Sequence, residues 1–371
     1  METSTRNSDI FQIMEKWAPT NLAYDWDNVG LQVGSFNNQV TKIMVTLDVL
    51  ESVVDEAIEK DVDLIIAHHP LLFKSVKQVN VDTSQGRIIQ KLIQHNISVY
   101  ASHTNLDIAV GGVNDMLCEL LNINRTEVLQ QTYQEELVKI AVFVPKTHLN
   151  EVRDAMSENG AGHIGDYSHC TFQTEGKGTF MPQEGTNPYI GSANHLAYVD
   201  EVKVESIIPQ PKLARVIEAM INAHPYEEAA YDLMPLRNTG QTNGIGRIGT
   251  LDKGLTLRDF SEQVKHALKV PSLRVTGDLT KKVRKVAVLG GSGEKFIATA
   301  KEMGADVYIT GDMTFHTAQD AWQMGLSVID PGHHVEKVMK EGTKRYLENR
   351  LDNKNIEVIL SNSNTEPFQF I

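Results

Sequence analysis

The chain has 371 residues, 41% hydrophobic and 22% charged, which argues against disorder and exceeds one ordinary core, so two domains or one with an insertion are expected. A net charge of -13 argues against a general DNA or RNA binder, since phosphate backbones demand a basic face, and suits metal cations or small polar substrates better. No apolar run nears the ~20 residues that span a bilayer, "METSTRNSDIFQIMEKW" lacks the zones of a secretion signal, and Cys118 and Cys170 are too few for a disulfide framework, so a cytoplasmic protein with no membrane partner is expected.

Ser8 or Asp9 is placed to cap a first helix carrying Ile10, Phe11, Met14 and Trp17, which Pro19 closes. After the loop "YDWDNVGLQVG" an α/β rhythm begins: strand "KIMVTLDV", helix "ESVVDEAIEKD", strand "DLIIA", helix "GRIIQKLIQHN", strand "ISVYAS", helix "GVNDMLCELLNI". Short apolar runs alternating with helical periods predict a mostly parallel sheet with helices on its faces.

Between about 130 and 237 the order changes to strand "VKIAVFVP", helix "HLNEVRDAMSENG", strands "DYSHCTFQTEG" and "VKVESIIP", helix "PKLARVIEAMINAH" and strand "EEAAYDLMPL". That β-α-β-β-α-β succession is ferredoxin-like. Residues 130–237 are therefore read as an α+β domain inserted between two core segments, 1–129 and 238–371. The Gly- and Pro-rich "GKGTFMPQEGTNPYIGSANH" between its middle strands is expected to be an exposed loop.

From "GRIGTLD" the α/β rhythm resumes, and the chain repeats itself. Residues 42–70 align without a gap on 285–313, Asp63 over Asp306. Residues 93–107 align on 322–336, Asp107 over Glu336. The core is thus expected to consist of two similar halves.

Four polar stretches sit just past strand ends: His68-His69, "SHTNLD" with His103 and Asp107, "TGD" with Asp312, and "GHHVE" with His333, His334 and Glu336. Open α/β sheets bind ligands there, and these residues are expected to gather at one edge of one sheet. A lone histidine is usually a satisfied core or surface residue, but imidazoles clustered with carboxylates suit Zn, Fe, Mn or Ni. Adjacent strand residues point to opposite faces, so His68 and His69 are better suited to two ions than to one. Asp107 and Glu336 could each bridge such a pair. The glycines of "LGGSGEK" (289–295) could cradle a phosphate, although a tight turn is their commoner use. "DWDNVG" (25–30) could wall the pocket or simply turn.

"AHHP", "SHTNLD", "TGD", "GHHVE" and the N-terminal "WDNVGLQVG", in this order, resemble the Ngg-interacting-factor-like family, whose bacterial members are called GTP cyclohydrolase I type 2 homologues. The resemblance implies a three-layer α/β/α core, a dinuclear metal centre and hexameric rings. Carried over by motif, the ligands are His68, His69, Asp107, His333 and Glu336. Many relatives space the last His and Glu by four; here the spacing is three, which leaves His333 and His334 hard to tell apart. The longer members carry a middle domain resembling the PII and copper-tolerance (CutA) proteins, and "INAHPYEEAAYDL" is similar to its end. His224, Glu227 and Glu228 are accordingly a second candidate site, against the plainer reading of a structural turn.

The expected function is a hydrolase using two divalent ions, Zn foremost, on a nucleotide or related small molecule. Ring opening of GTP is implied by the family name, and His103 is a candidate proton shuttle or ligand-orienting partner. The competing expectation is a metal-binding regulator or metal-delivery protein whose inserted domain senses a metabolite. Purely structural metals are a third.

Overall fold

Asp9 sets where the first helix begins. Helix α1 (Asn7–Trp17) follows Arg6, whose backbone N–H donates to Asp9 Oδ2 at 2.8 Å. Ser8 and Asp9 therefore lie inside the helix, correcting their expected capping role: Asp9 serves the cap from the third helical position. The structure is a computed structural model describing residues 5–351 and 355–371. It divides into two units, 1–133 with 243–371 and 134–242.

The first half of the larger unit continues through β1 (Gly30–Val33), β2 (Lys42–Thr46), α2 (Glu51–Glu59), β3 (Leu64–Ala67), α3 (Ser84–Gln94), β4 (Ser98–Ala101), α4 (Thr104–Ile108) and α5 (Val113–Leu120). The sequence periods locate all of these except β1 and α4. Both are too short to display a period, and every residue of α4 is buried. Strands β2, β3 and β4 are parallel and bury both faces. Ile43, Val45, Leu64, Ile66 and Tyr100 enter one core cluster, while Met44, Ile65, Ala67 and Val99 enter another. Two buried faces explain why these strands read as unbroken apolar runs.

Strand β5 (Asn124–Pro145) leads into the smaller unit, which contains α6 (Leu149–Glu158), β6 (Phe172–Phe180), β7 (Ala197–Pro209) and α7 (Leu213–Ala223), and β8 (Tyr231–Thr256) leads out. Its strands neighbour one another in the order β6-β7-β5-β8. Ile140 and Val142 of β5, Val204 of β7, Val152 of α6 and Met220 of α7 share its core. Strand β6 takes in residues 177–180, which correct the expected extent of the loop.

The second half of the larger unit is α8 (Leu257–Leu268), β9 (Arg274–Thr276), β10 (Lys282–Ser292), α9 (Ile297–Glu302), β11 (Val307–Gly311), α10 (Phe315–Gln323), β12 (Ser327–Asp330), α11 (Val338–Glu348) and β13 (Glu357–Leu360). Here β10, β11 and β12 are parallel, with β9 antiparallel beside β12, as β1 is beside β4 in the first half. Asp63 Oδ2 accepts from the N–H of Thr41 and Lys42, and Asp306 Oδ2 from those of Arg284 and Lys285. Gly34 and Gly277, both at positive φ, lie where a Cβ would strike Ser98 and Ser327, which also align. The repeat is structural at the level of single hydrogen bonds.

The larger unit has two sheets rather than one: β1-β4-β3-β2-β13, in which β13 of the second half pairs parallel with β2, and a second in which β8, β10, β11, β12 and β9 are neighbours. The four polar stretches thus close strands of two sheets, not one edge of one sheet. Among the described residues no helix is long and apolar enough to cross a membrane.

Candidate metal centre

His68 and His69 follow β3, His103 precedes α4 and Asp107 lies within it. His333 and Glu336 share a short 3-10 helix, His333–Lys337, ahead of α11. In a 3-10 helix residues three apart are eclipsed, so the spacing that differs from many relatives still aims both side chains one way. His333 Nε2 lies 3.1 Å from Glu336 Oε2. His334 instead approaches Thr365 Oγ1 at 3.3 Å and Glu366 at 3.7 Å, outside every ligand grouping among the described residues.

The remaining residues converge. Among the described residues three sets of side chains offer ligand atoms within 4.8 Å of one another: His68, His69 and His103; His69, His333 and Glu336; His68, Asp107 and Glu336. His68 is wholly buried, and its Nδ1 donates to the Ser102 carbonyl at 2.9 Å, which leaves Nε2 without a proton. That nitrogen lies 3.5 Å from Asp107 Oδ1 and 3.8 Å from Glu336 Oε2. Neither His68 Nε2 nor Asp107 Oδ1 has a hydrogen-bond partner among the described residues. Two buried acceptors facing each other unsatisfied are costly, and a cation among them removes that cost. The residues fit a metal ion.

Carboxylates behind the ring nitrogens hold the other imidazoles. His69 Nδ1 donates to Asp48 Oδ1 at 2.6 Å, His103 Nδ1 to Asp27 Oδ1 at 2.9 Å, and His333 Nδ1 to Asp312 Oδ2 at 2.7 Å. Each fixes its ring so that Nε2 remains for the centre, the usual arrangement behind metal-binding histidines. Asp27 belongs to "DWDNVG", so that stretch does wall the site. Asp48 has no counterpart among the expected residues; its only signal is its place just past β2.

Burial, then the charge of Glu336, pushes the Asp107 carboxyl well above its ordinary range. Burial opposes ionisation of Glu336 as well, but hydrogen bonds from His333 and His69 hold it well below. Burial opposes charging of His69, yet hydrogen bonds to Asp48 and Glu336 raise it to about 10. His333, hydrogen-bonded to Glu336, rises to about 9. The centre is an electronegative focus built to hold positive charge.

The glycine-rich stretch serves this centre by close approach. A Cβ on Gly291 would lie 2.4 Å from Glu336 Oε1. Gly290 N–H donates to Asn114 Oδ1 and Gly293 N–H to Thr310 Oγ1, so these groups are used within the fold. The phosphate-cradle expectation is corrected accordingly. As a metal site, the second candidate is corrected too: His224 Nε2 donates to the Phe143 carbonyl at 2.9 Å, and its Nδ1 accepts from Tyr226 N–H at 3.1 Å. Neither nitrogen is left for a metal, and no ligand grouping among the described residues includes Glu227 or Glu228.

A cavity of about 850 Å³ opens beside Asp48, His69 and His333, with Arg274 on its wall. Near His103, Trp26 and Phe73 stand exposed at 55% and 49%, their rings 5.9 Å apart.

The family described as Duf34/NIF3 (NGG1p interacting factor 3) matches residues 5–367. A GTP cyclohydrolase 1 type 2 homologue of Bacillus subtilis is 50% identical over 373 residues, covering 100% of both chains. One from Halalkalibacterium halodurans is 50% identical over 364 residues, covering 98% of both. The crystal structure of a Bacillus cereus protein related to NIF3 superposes with a TM-score of 0.94 at 50% identity, covering 100% of both chains.

Proposed function

Because this chain belongs to the Duf34/NIF3 family, we propose that it is a hydrolase using two divalent cations held by His68, His69, Asp107, His333 and Glu336. The observation that carries this reading is that Glu336 belongs to two ligand sets, one with His69 and His333 and the other with His68 and Asp107. Two sets that share a carboxylate would suit two neighbouring ions held by common ligands. Zn fits the imidazole and carboxylate donors best, and Fe, Mn and Ni are compatible. Bound there, the ions supply Lewis acidity and lower the pKa of water for attack on an electrophilic carbon or phosphorus.

The chain's own residues do the rest. Asp48, Asp27 and Asp312 keep each ring oriented. With Nδ1 given to Asp27, His103 has Nε2 free to take a proton and return it at the substrate. The exposed rings of Trp26 and Phe73 beside His103 would seat a planar base, which supports a nucleotide or related small molecule. GTP is the first substrate to test, given the name of the relatives.

The metal-loaded protein should be assayed against GTP, phosphodiesters and cyclic amides beside a His69→Ala control. Turnover that the control lacks is expected. Metal binding with no turnover above the control on any of these would instead favour a regulator or metal-delivery protein.

A further inference from the structure

We propose that the smaller unit carries a binding site for a small organic ammonium ion, received by the buried carboxylate of Glu201 within an aromatic cleft. A cavity of about 320 Å³ lies within this unit. Its walls include Phe180, Tyr189 and Tyr226, and its carboxylates are Glu201, Glu227 and Glu228, with no lysine or arginine among the lining residues.

Glu201 lies on β7, only 8% exposed, between β5 and β6. Tyr226 Oη donates to its Oε1 at 2.9 Å. Oε2 occupies the space a side chain at Gly178 would need, 2.0 Å from the Cβ position, so the neighbouring strand leaves room for this carboxylate. Other glutamates of the same sheet have cations: Glu205 pairs with Lys139 and Glu175 with Lys146, each at 2.8 Å. Among the described residues Glu201 has no such ion pair. His224 does not neutralise it, because a ring whose Nδ1 accepts from Tyr226 N–H is uncharged. A carboxylate buried beyond the reach of a cation is unfavourable, and this one lines a cavity that could admit one.

The chemistry of the walls selects the cation. Tyr226 is 5.4 Å from Phe180 and 6.4 Å from Tyr189, with the ring pairs tilted by 62° and 48°. Aromatic faces attract ammonium groups and pack against their alkyl parts, whereas a metal ion needs several oxygen or nitrogen ligands that ring faces do not supply. No ligand grouping among the described residues lies here. Three lining carboxylates equally disfavour an anion. The fitting ligand is an alkylammonium, its N–H donating to Glu201 Oε2 and its chain against the rings. Nothing in this site depends on the metal centre.

The test is calorimetric titration of the full chain with n-butylammonium, and with n-butanol as the uncharged isostere. Saturable binding of the ammonium but not the alcohol is expected, weakened at least ~10-fold in Glu201→Gln, which keeps the side chain's shape. Tyr189→Ala, at an exposed position, should weaken it roughly threefold through loss of one ring face. No saturable binding, equal binding of the alcohol, or undiminished binding in a folded Glu201→Gln protein overturns the proposal. Should Glu201→Gln fail to fold, as read by circular dichroism, undiminished binding by Tyr189→Ala overturns it alone.

Discussion

His333 and His334 are adjacent and chemically identical, yet the structure gives them different neighbours. His333 reaches Glu336 with Nε2 and Asp312 with Nδ1, whereas His334 turns to Thr365 and Glu366. Removing His333 should therefore empty the centre and removing His334 should not. Metal analysis after gel filtration is expected to show His333→Ala losing most bound metal, at least the ~10- to 100-fold loss of affinity that removing a partner behind a ligand causes, while His334→Ala stays within about twofold of the parent. Equal losses in both would refute the assignment. The motif alone could not separate the two rings, because both lie within one turn of Glu336 and only their packing differs.

At the scale of elements, β10 and the 3-10 helix meet so closely that residue 291 has no room for a side chain. Gly291→Ala adds a Cβ in contact with Glu336 Oε1 at a residue whose φ is +66°. A cost of about 1–2 kcal/mol in stability is expected from the backbone alone, together with impaired metal retention as Glu336 is displaced. Urea unfolding and metal analysis read the two effects separately. A second element contact ties the chain's end to α2. Glu56 accepts from Ser361 Oγ at 2.7 Å, Asn362 N–H at 2.8 Å and Ser363 N–H at 3.1 Å. Burial opposes its charge, but Lys60 and these donors outweigh it and bring its pKa from 4.5 down to about 2. A depressed carboxyl pKa stabilises the fold fully above the ordinary value and loses that contribution as pH falls from 4.5 through 2. Glu56→Gln should cost about 2 kcal/mol at neutral pH, and its stability should fall less steeply than the parent's as acid is added. A pH slope unchanged by the substitution would exclude this role.

For the whole molecule, the question is whether the metals make the fold. The larger unit has extensive apolar clusters on both faces of its first sheet, built from residues other than the ligands. Chelation should accordingly leave the circular dichroism spectrum intact and lower the melting temperature only by the lost binding energy, a few degrees. Unfolding on chelation would instead mark the metals as structural. Arg247 shows how the halves of this unit are joined without metal. It is buried, donates to Asp115 at 2.7 Å and 2.9 Å, and also donates to the carbonyls of Ile108 and Ala109.

The sequence by itself determined the α/β rhythm, the internal repeat and the short list of histidines and carboxylates. Helical and strand periods are local, and a repeated unit carries its polar strand ends to equivalent places in both halves. The tertiary structure alone decided what joins what. The contact between His69 and Glu336 spans 267 positions, and no local pattern announces it. Asp48 was invisible for the same reason, since an acid after a strand acquires meaning only when His69 donates to it. The glycines of 289–295 allow a tight turn or a phosphate loop because glycine permits close approach by any group, and here the group is Glu336. Two sheets replaced one because β1 and β9 each close the edge of their own half, a pairing that alternation within either strand cannot reveal.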